Sequence, residues 1–237
     1  SAILNRICDS LFSSLFRQFC GHTDELDAAL LRELNVSSDV FVGTIEETRI
    51  GQCPSNWTLG QIDSLCRDIT DGAHYSPPES IEFTPYKIAS VKDMDTDGLD
   101  YNSMKQISMN EYEKVKKMGC AADEGDILFS KDGTIGQVIP HDGDESVVFL
   151  SSIALIRPLK RTYSEYLLFL LRQPHLQHLI EGGYVSGSVL QRVILKDFKK
   201  IPVVIPPEEL IEAFGELVRP IVKMIQYNHL ERIRSSN

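Results

Sequence analysis

The sequence predicts an α+β fold, in which a domain of short mixed strands with peripheral helices is flanked by long N- and C-terminal helices that pack antiparallel. Three observations lead to this prediction. Apolar residues recur at helical spacing in residues 3–19, and they do so again in residues 207–234. Between these stretches, short apolar runs alternate with glycines, prolines and aspartates, a pattern typical of short strands joined by turns.

The first third of the chain begins with two predicted helices. Residues 3–19 form an amphipathic helix, with Asn5 and Asp9 opposite the apolar stripe. A second helix begins at Thr23, whose hydroxyl can cap free backbone amides, and runs to about Leu34. The short apolar runs in residues 40–80 predict short strands and turns, and the pattern in residues 86–91 predicts another strand.

The middle of the chain alternates capped helices with strands. Ser108 and Glu111 form a capping box for a helix of about ten residues that stops at Gly119. Thr162 and Glu165 open another helix, interrupted near Pro174 and ending before Gly182. Strands are predicted at residues 127–130, 137–139, 146–150, 153–156 and 201–205.

The C-terminal helix starts at Pro207, because proline at the first helical position needs no amide partner. Its apolar residues alternate at spacings of three and four, which is typical of a seam that meets another helix. Taken as residues 207–234, the helix is roughly 40 Å long, and Pro220 is expected to bend it. Because neither terminal apolar stripe can remain exposed, we expect the two terminal helices to cover each other and to dock partner subunits through their outward faces.

Length and composition restrict the class of protein. The chain has 237 residues with a mass of 26.7 kDa, of which 42% are hydrophobic and 24% charged, as in an ordinary globular protein. Apolar runs such as residues 166–171 are far shorter than the roughly 18 to 20 residues of a membrane span, so no membrane association is expected. The five cysteines (Cys8, Cys20, Cys53, Cys66 and Cys120) form no CxxC pair, which favours a reduced, cytoplasmic setting.

Charge is unevenly distributed along the chain. The net charge is −10, with −14 in residues 1–150, +5 in residues 151–200 and −1 in residues 201–237. Binding to a polyanion requires local positive potential, so any such contact must be confined to part of the surface.

Three short patterns suggest metal or phosphate binding, and each also has a structural interpretation. Residues 93–98 carry the first positions of a calcium loop, but its twelfth position is Met104, so a solvated acidic turn is the alternative. His175 and His178 lie on one helical face without a completing ligand, and we expect structural histidines and no metal. Residues 133–136 resemble a phosphate loop only loosely, and a turn between strands is favoured.

No recognisable catalytic centre is present. The chain lacks a GxSxG elbow, Cys120 has no motif context, and the Pro77-Pro78 and Pro206-Pro207 pairs lack the aromatic residue used by adenine methyltransferases.

The basic stretch after residue 182 is more informative. Ser186 and Ser188 lie on a glycine-rich loop, where small hydroxyl residues can approach a phosphate closely. Gln191 and Arg192 are side chains that recognise adenine and guanine edges in the major groove. A surface loop with ordinary solvated lysines is the alternative.

Several segments together resemble the specificity subunit of type I restriction-modification enzymes, in particular one target recognition domain with its flanking conserved helices. The matching segments, in order, are Asp71-Gly72-Ala73-His74, Pro85-Tyr86-Lys87-Ile88, residues 91–94, 125–136, 151–158, 166–168, and 195–207. The resemblance covers about residues 54–210, and residues 11–19 look like the end of the family's central conserved helix.

The resemblance implies a domain organisation and a function. Residues 1–20 would end the central helix, 21–50 would form a helical connection, 51–206 the recognition domain and 207–237 the C-terminal spacer helix. The chain would be the C-terminal half of a specificity subunit, without enzymatic activity, that binds half of a split double-stranded DNA target. It would direct modification subunits that carry S-adenosylmethionine, and through the complex a restriction subunit that uses ATP and Mg²⁺, with no cofactor in this chain.

Two alternatives belong to other functional classes. The chain could be the recognition part of a fused methyltransferase-nuclease, or a helical interaction scaffold unconnected with DNA. For the leading hypothesis, the residues predicted to contact DNA are Lys131 and Thr134 in one turn, and Ser186, Ser188, Gln191 and Arg192 in the other. Lys131 would neutralise a phosphate, the serines would bond to the DNA backbone, and Gln191 and Arg192 would approach base edges.

Overall fold

The structure is a computed structural model that describes residues 2–16, 45–48, 51–186 and 191–235. The helix predicted at residues 23–34 lies outside these ranges. Within them, in chain order, the helices and strands are α1 (Ala2–Phe16), β1 (Ile45–Thr48), β2 (Gly51–Pro54), β3 (Thr58–Gln61), β4 (Cys66–Asp71), β5 (Lys87–Ala89), β6 (Lys105–Gln106), α2 (Met109–Lys117), β7 (Ile127–Ser130), β8 (Val138–Pro140), β9 (Val147–Phe149), β10 (Ile153–Pro158), α3 (Ser164–Arg172), α4 (Pro174–Gly183), β11 (Val185–Ser186), β12 (Arg192–Val193), α5 (Leu195–Phe198), β13 (Pro202–Ile205) and α6 (Glu208–Ser235). Short 3₁₀ turns occupy Ile62–Leu65, Val91–Asp93 and Arg161–Tyr163.

The strands form small sheets that are mostly antiparallel. The largest has the order β4-β10-β7-β8, with Leu155 of β10 placed between Thr70 and Leu128. A three-stranded sheet has the order β6-β5-β9, in which β5 and β9 run parallel. Strand β3 pairs with β13, so residues 58–61 and 202–205 close the domain from its two ends.

The main core lies between the four-stranded sheet and the helices. Every residue of Ser164–Leu171 in α3 is buried, because this helix packs against β7, β8, α1 and α6 at once. Tyr166 of α3 and Phe129 of β7 are among the largest side chains with almost no exposure. Burial of this apolar surface is the main contribution to the stability of the domain.

The terminal helices pack antiparallel, as predicted. Phe12, near the end of α1, lies 5.5 Å from Phe214 in the second turn of α6, measured between ring centroids. At the start of α1, Asn5 donates a hydrogen bond to Asp97, whose carboxylate lies 3.7 Å from the Arg232 guanidinium near the end of α6. The start of one helix therefore lies beside the end of the other, and the prediction of an α+β fold with paired terminal helices is confirmed.

Most predicted strands and helices are present with small shifts at their ends. Ser108 caps α2 by accepting a hydrogen bond from the Glu111 amide at 3.3 Å, as the capping box predicts. The expected stop before Gly182 is wrong, because α4 continues through Gly183. The boundaries proposed at residues 20, 50 and 206 stay a prediction.

Candidate nucleic-acid interface

The structure brings together the two turns that were predicted to contact DNA. The Val193 amide donates to the Lys131 carbonyl at 2.8 Å, and the Gly133 amide donates to the Gln191 carbonyl at 3.3 Å. These bonds flank an isolated bridge between Asp132 and Arg192. Residues 131–134 and 191–192, about sixty positions apart in sequence, therefore form one continuous surface, called here the two-loop surface.

Gln191, Arg192 and Thr134 are exposed on the two-loop surface. Asp132 orients Arg192, because its Oδ1 accepts a hydrogen bond from Arg192 Nε at 2.8 Å, while the arginine side chain remains 59% exposed. Residues 187–190, including Ser188, lie outside the described residues. Ser186 is placed in β11, but its side chain is not described.

Lys131 differs from its neighbours because it points inward. Its side chain is only 4% exposed, and its ammonium lies 3.2 Å from Asp71 Oδ1 and 3.4 Å from Asp132 Oδ2. The Asp71 contact is an ion pair without hydrogen-bond alignment. In this arrangement the charge of Lys131 is shared between two carboxylates and is not presented to a phosphate in solvent.

A row of ionisable side chains, called here the charge ladder, adjoins the two-loop surface. The other carboxylate oxygen of Asp71 lies 3.5 Å from His74 Nε2, so the contacts run from His74 through Asp71, Lys131 and Asp132 to Arg192. Charges of both signs cancel along the ladder, and the exposed guanidinium stands at its end. Asp71, His74 and Asp132 were not predicted as site residues. The sequence segment Asp71-Gly72-Ala73-His74 is the signal that could have indicated the first two.

Gly72 and Ala73 place the charge ladder next to the end of β9. The Ala73 amide donates to the Phe149 carbonyl at 2.7 Å, and a Cβ at Gly72 would lie 2.4 Å from the Leu150 carbonyl oxygen. Only glycine fits so close to another backbone. The motif therefore fixes the position of Asp71 relative to the turn between β9 and β10.

An exposed cation that sequence reasoning missed lies beside the two-loop surface. The 3₁₀ turn Val91–Asp93 approaches the loop, since the Val91 amide donates to Ser152 Oγ and the Ser152 carbonyl accepts from the Lys131 amide. Lys92 in this turn is exposed and makes no ion pair among the described residues. It adds positive charge where the ladder itself is neutral.

The acidic turn at residues 93–98 uses its carboxylates as structural hydrogen-bond acceptors. Asp93 accepts from the Ser90 amide and from the Ser90 and Ser103 hydroxyls, at 2.7 to 2.9 Å. The Leu99 carbonyl of the same turn lies 3.0 Å from His229 Nε2 on α6. The turn therefore connects the domain to the C-terminal helix.

The remaining candidates do not gather into a reactive site in the described part of the chain. No group of three or more metal-ligating side chains occurs there, and His175 and His178 are both exposed. Residues 133–136 form the turn between β7 and β8. Burial raises the pKa of the Cys120 thiol, and the nearby Asp71 carboxylate raises it further against the opposing effect of Arg157, which disfavours the thiolate that nucleophilic catalysis requires.

Within the described ranges, no helix is both long and apolar enough to cross a membrane. The cysteines found there, Cys8, Cys53, Cys66 and Cys120, are buried free thiols.

Comparison with solved structures finds similar chains in type I restriction-modification systems. The S subunit from M. genitalium aligns with 18% identity and a TM-score of 0.42, over 68% of this chain and 37% of that one. The HsdS subunit from Thermoanaerobacter tengcongensis aligns with 17% identity and a TM-score of 0.45, over 96% and 50%. A structure describing assembly and conformational transition of the type I R-M system gives 16% identity and a TM-score of 0.46, over 99% and 51%.

This chain thus spans about half or less of the length of the solved chains it matches. No curated protein matches its sequence. The family model of the type I restriction modification DNA specificity domain matches residues 54–212, which is more than half of the chain. That range contains the charge ladder, the two-loop surface and both closing strands, and the chain therefore belongs to the family of type I restriction modification DNA specificity domains.

Proposed function

We propose that this chain binds one half of a split, asymmetric DNA target and contacts its bases through the two-loop surface. The observation that carries the proposal is the joining of residues 131–134 to residues 191–192, which anchors the exposed residues Gln191 and Arg192 beside the other turn. A surface of two loops fixed on a buried sheet can enter a DNA groove without first becoming ordered, which favours binding.

Each exposed side chain has a distinct role in this proposal. The Asp132 contact uses Arg192 Nε, and the guanidinium makes no other contact among the described residues, so its terminal amino groups can bond to guanine O6 and N7. The Gln191 amide suits adenine in the same way. Thr134 and Lys92 would contact phosphates, as would Ser186 and Ser188, while Lys131 acts as a positioning residue beneath Arg192.

The remaining functions belong to other subunits in this proposal. Members of the specificity family are in general not catalytic, and this chain would direct methylation by modification subunits and cleavage by a restriction subunit. S-adenosylmethionine, ATP and Mg²⁺ would bind to those subunits, in the cytoplasm. The charge ladder is consistent with this division, since it orients Arg192, the residue assigned to a base contact in this proposal.

The test is selection of bound sequences from a random DNA pool by the assembled complex. We expect a bipartite consensus, and we expect Gln191→Ala combined with Arg192→Ala to change only one of its two parts. A consensus that stays the same in the double variant would contradict the assignment of base contacts to the two-loop surface.

A further inference from the structure

Two large apolar side chains stand fully in solvent on the loop between β4 and β5. The relative exposure of Ile81 is 104% and that of Phe83 is 89%, the highest values among the large hydrophobic residues of the described chain. Isolated exposed apolar residues are common on protein surfaces, but two of this size only two residues apart in one loop are typical of a contact site.

The loop is held rigidly on either side of these residues. The Ser80 amide donates to the Gln106 carbonyl at 2.9 Å, and the Thr84 amide donates to the Gln106 side-chain oxygen at 3.3 Å. Lys105 donates to Ser76 Oγ at 2.7 Å, which fixes the approach to the loop. The backbone that carries Ile81 and Phe83 is therefore anchored on both sides, so little backbone entropy is lost when a partner covers these side chains.

The charge of this loop differs from that of the two-loop surface. Glu79 precedes the two apolar residues and Glu82 lies between them; both glutamates are exposed and make no ion pair among the described residues. The carboxylates repel phosphate, and the preferred partner is one that supplies cations around an apolar pocket.

Position along β5 separates the two surfaces as well. Lys87, at the start of β5, pairs with Gln106 beside the anchored loop, whereas Val91 beyond the end of β5 approaches Gly133 of the two-loop surface. Four residues of extended chain span roughly 13 Å, which places the loop and the two-loop surface beyond opposite ends of β5.

We infer that residues 79–83 are a docking loop for a protein subunit that carries an apolar pocket bordered by lysine or arginine side chains. This inference rests on the proposed function, because that subunit is the modification subunit with which the chain assembles. Phe83 and Ile81 enter the pocket, and Glu79 and Glu82 pair with its basic border.

The test measures the affinity of this chain for the purified modification subunit. Ile81→Ser combined with Phe83→Ser should weaken assembly by about thirtyfold or more, as expected for two central apolar contacts. Glu79→Gln combined with Glu82→Gln should weaken it about three- to tenfold and reduce its salt dependence. The control is Leu159→Ser, which removes a 53% exposed leucine from another part of the surface and should leave assembly unchanged.

Duplex binding by the isolated chain and its molar mass in solution complete the experiment. All variants should fold, because the altered side chains are exposed, and should bind duplex DNA as the original chain does. Assembly that is unaffected by Ile81→Ser with Phe83→Ser would overturn the docking loop. Loss of duplex binding in that variant would also overturn the docking loop, because it would indicate that Ile81 and Phe83 insert into DNA. Dissociation of a dimer of this chain by the variant would overturn it as well, because the loop would then join two copies of the chain. Failure of the original chain to bind duplex would instead refute the proposed function, while the assembly measurement would still decide the docking loop.

Discussion

The Arg192 side chain depends on a single acceptor for its orientation, since Asp132 Oδ1 holds its Nε at 2.8 Å. This arrangement fixes the guanidinium plane without burying it. A change at Asp132 should therefore alter recognition even though the aspartate need not touch DNA. A change at Lys131 should act in the same indirect way, because Lys131 lies between Asp132 and Asp71.

The first prediction concerns Arg192→Ala in the assembled complex. If Arg192 contacts a guanine, affinity for the cognate half-site should fall by roughly 1 to 3 kcal/mol, with a smaller effect on other sequences. If it contacts only phosphate, all sequences should weaken alike. A matched control is Arg67→Ala, because Arg67 is 52% exposed and pairs with Asp123 at 2.9 Å in another part of the surface. Equal losses for both variants, measured by fluorescence anisotropy, would contradict a role specific to Arg192.

The second prediction separates Lys131 from Lys92. Lys131→Met removes a buried cation from between two partly exposed carboxylates and should lower the free energy of unfolding by about 2 to 3 kcal/mol. Lys92→Met removes an exposed cation and should change stability by less than about 0.5 kcal/mol. In DNA titrations, Lys92→Met should reduce the slope of log K against log salt by about 0.9, and Lys131→Met should leave it unchanged. Urea unfolding followed by circular dichroism gives the stabilities, and a stable Lys131→Met chain with a reduced salt slope would show that Lys131 does reach phosphate.

The difference between these two lysines shows why the site could be predicted only in part. Gln191, Arg192 and Thr134 lie in turn sequences, and such residues are usually exposed. The burial of Lys131 depends on Asp71, sixty positions earlier in the chain, and no local pattern records that contact. Lys92 was missed for the same reason, because the proximity of Val91 to Gly133 is a tertiary contact.

At the scale of elements, strongly periodic helices were predicted well and the segment after Gly182 was not. A glycine pair and a serine-rich stretch locally favour a loop. The chain continues α4 through Gly183 and forms the short strands β11 and β12, while the predicted loop at residues 187–190 lies outside the described residues; the Val193 amide of β12 donates to the Lys131 carbonyl. Pairing with a distant turn therefore outweighs local preference here.

The third prediction uses two helical glycines in contrasting environments. A Cβ at Gly215 of α6 would lie 2.8 Å from the Thr162 carbonyl oxygen, so Gly215→Ala should lower the free energy of unfolding by about 1 to 3 kcal/mol. A Cβ at Gly182 of α4 meets nothing within 4 Å, and Gly182→Ala should raise the same quantity by about 0.5 to 1 kcal/mol, because alanine favours helix. Thermal and urea unfolding of the two variants provide the comparison. A neutral Gly215→Ala would mean that α6 can move away from the Arg161–Tyr163 turn without loss.

For the whole molecule, a net charge of −10 opposes DNA binding, and only local cations can overcome it. The fourth prediction is that the isolated chain binds duplex weakly, with a slope of log K against log salt of about −3. This value corresponds to roughly three neutralised phosphates, and the exposed side chains of Lys92, Lys196 and Lys200 supply that number without Arg192, which contacts a base in the proposal. Anisotropy titrations at several salt concentrations measure the slope. Binding that is independent of salt would exclude phosphate contact by these side chains.

The pairing of the two terminal helices also determines when the protein can finish folding during synthesis. Strand β3 pairs with β13, which is made about 140 residues later, and helix α1 covers its apolar side against α6, which is made almost two hundred residues later. At about 5 to 20 residues per second, the ribosome needs roughly ten to forty seconds to produce that length. Until Phe214 is made, Phe12 has only part of its native aromatic contacts, with Tyr166 of α3 at 5.6 Å between ring centroids, and the incompletely covered helix exposes the nascent chain to aggregation. Closure of the domain is therefore a late and strongly nonlocal event, set by the synthesis of α6.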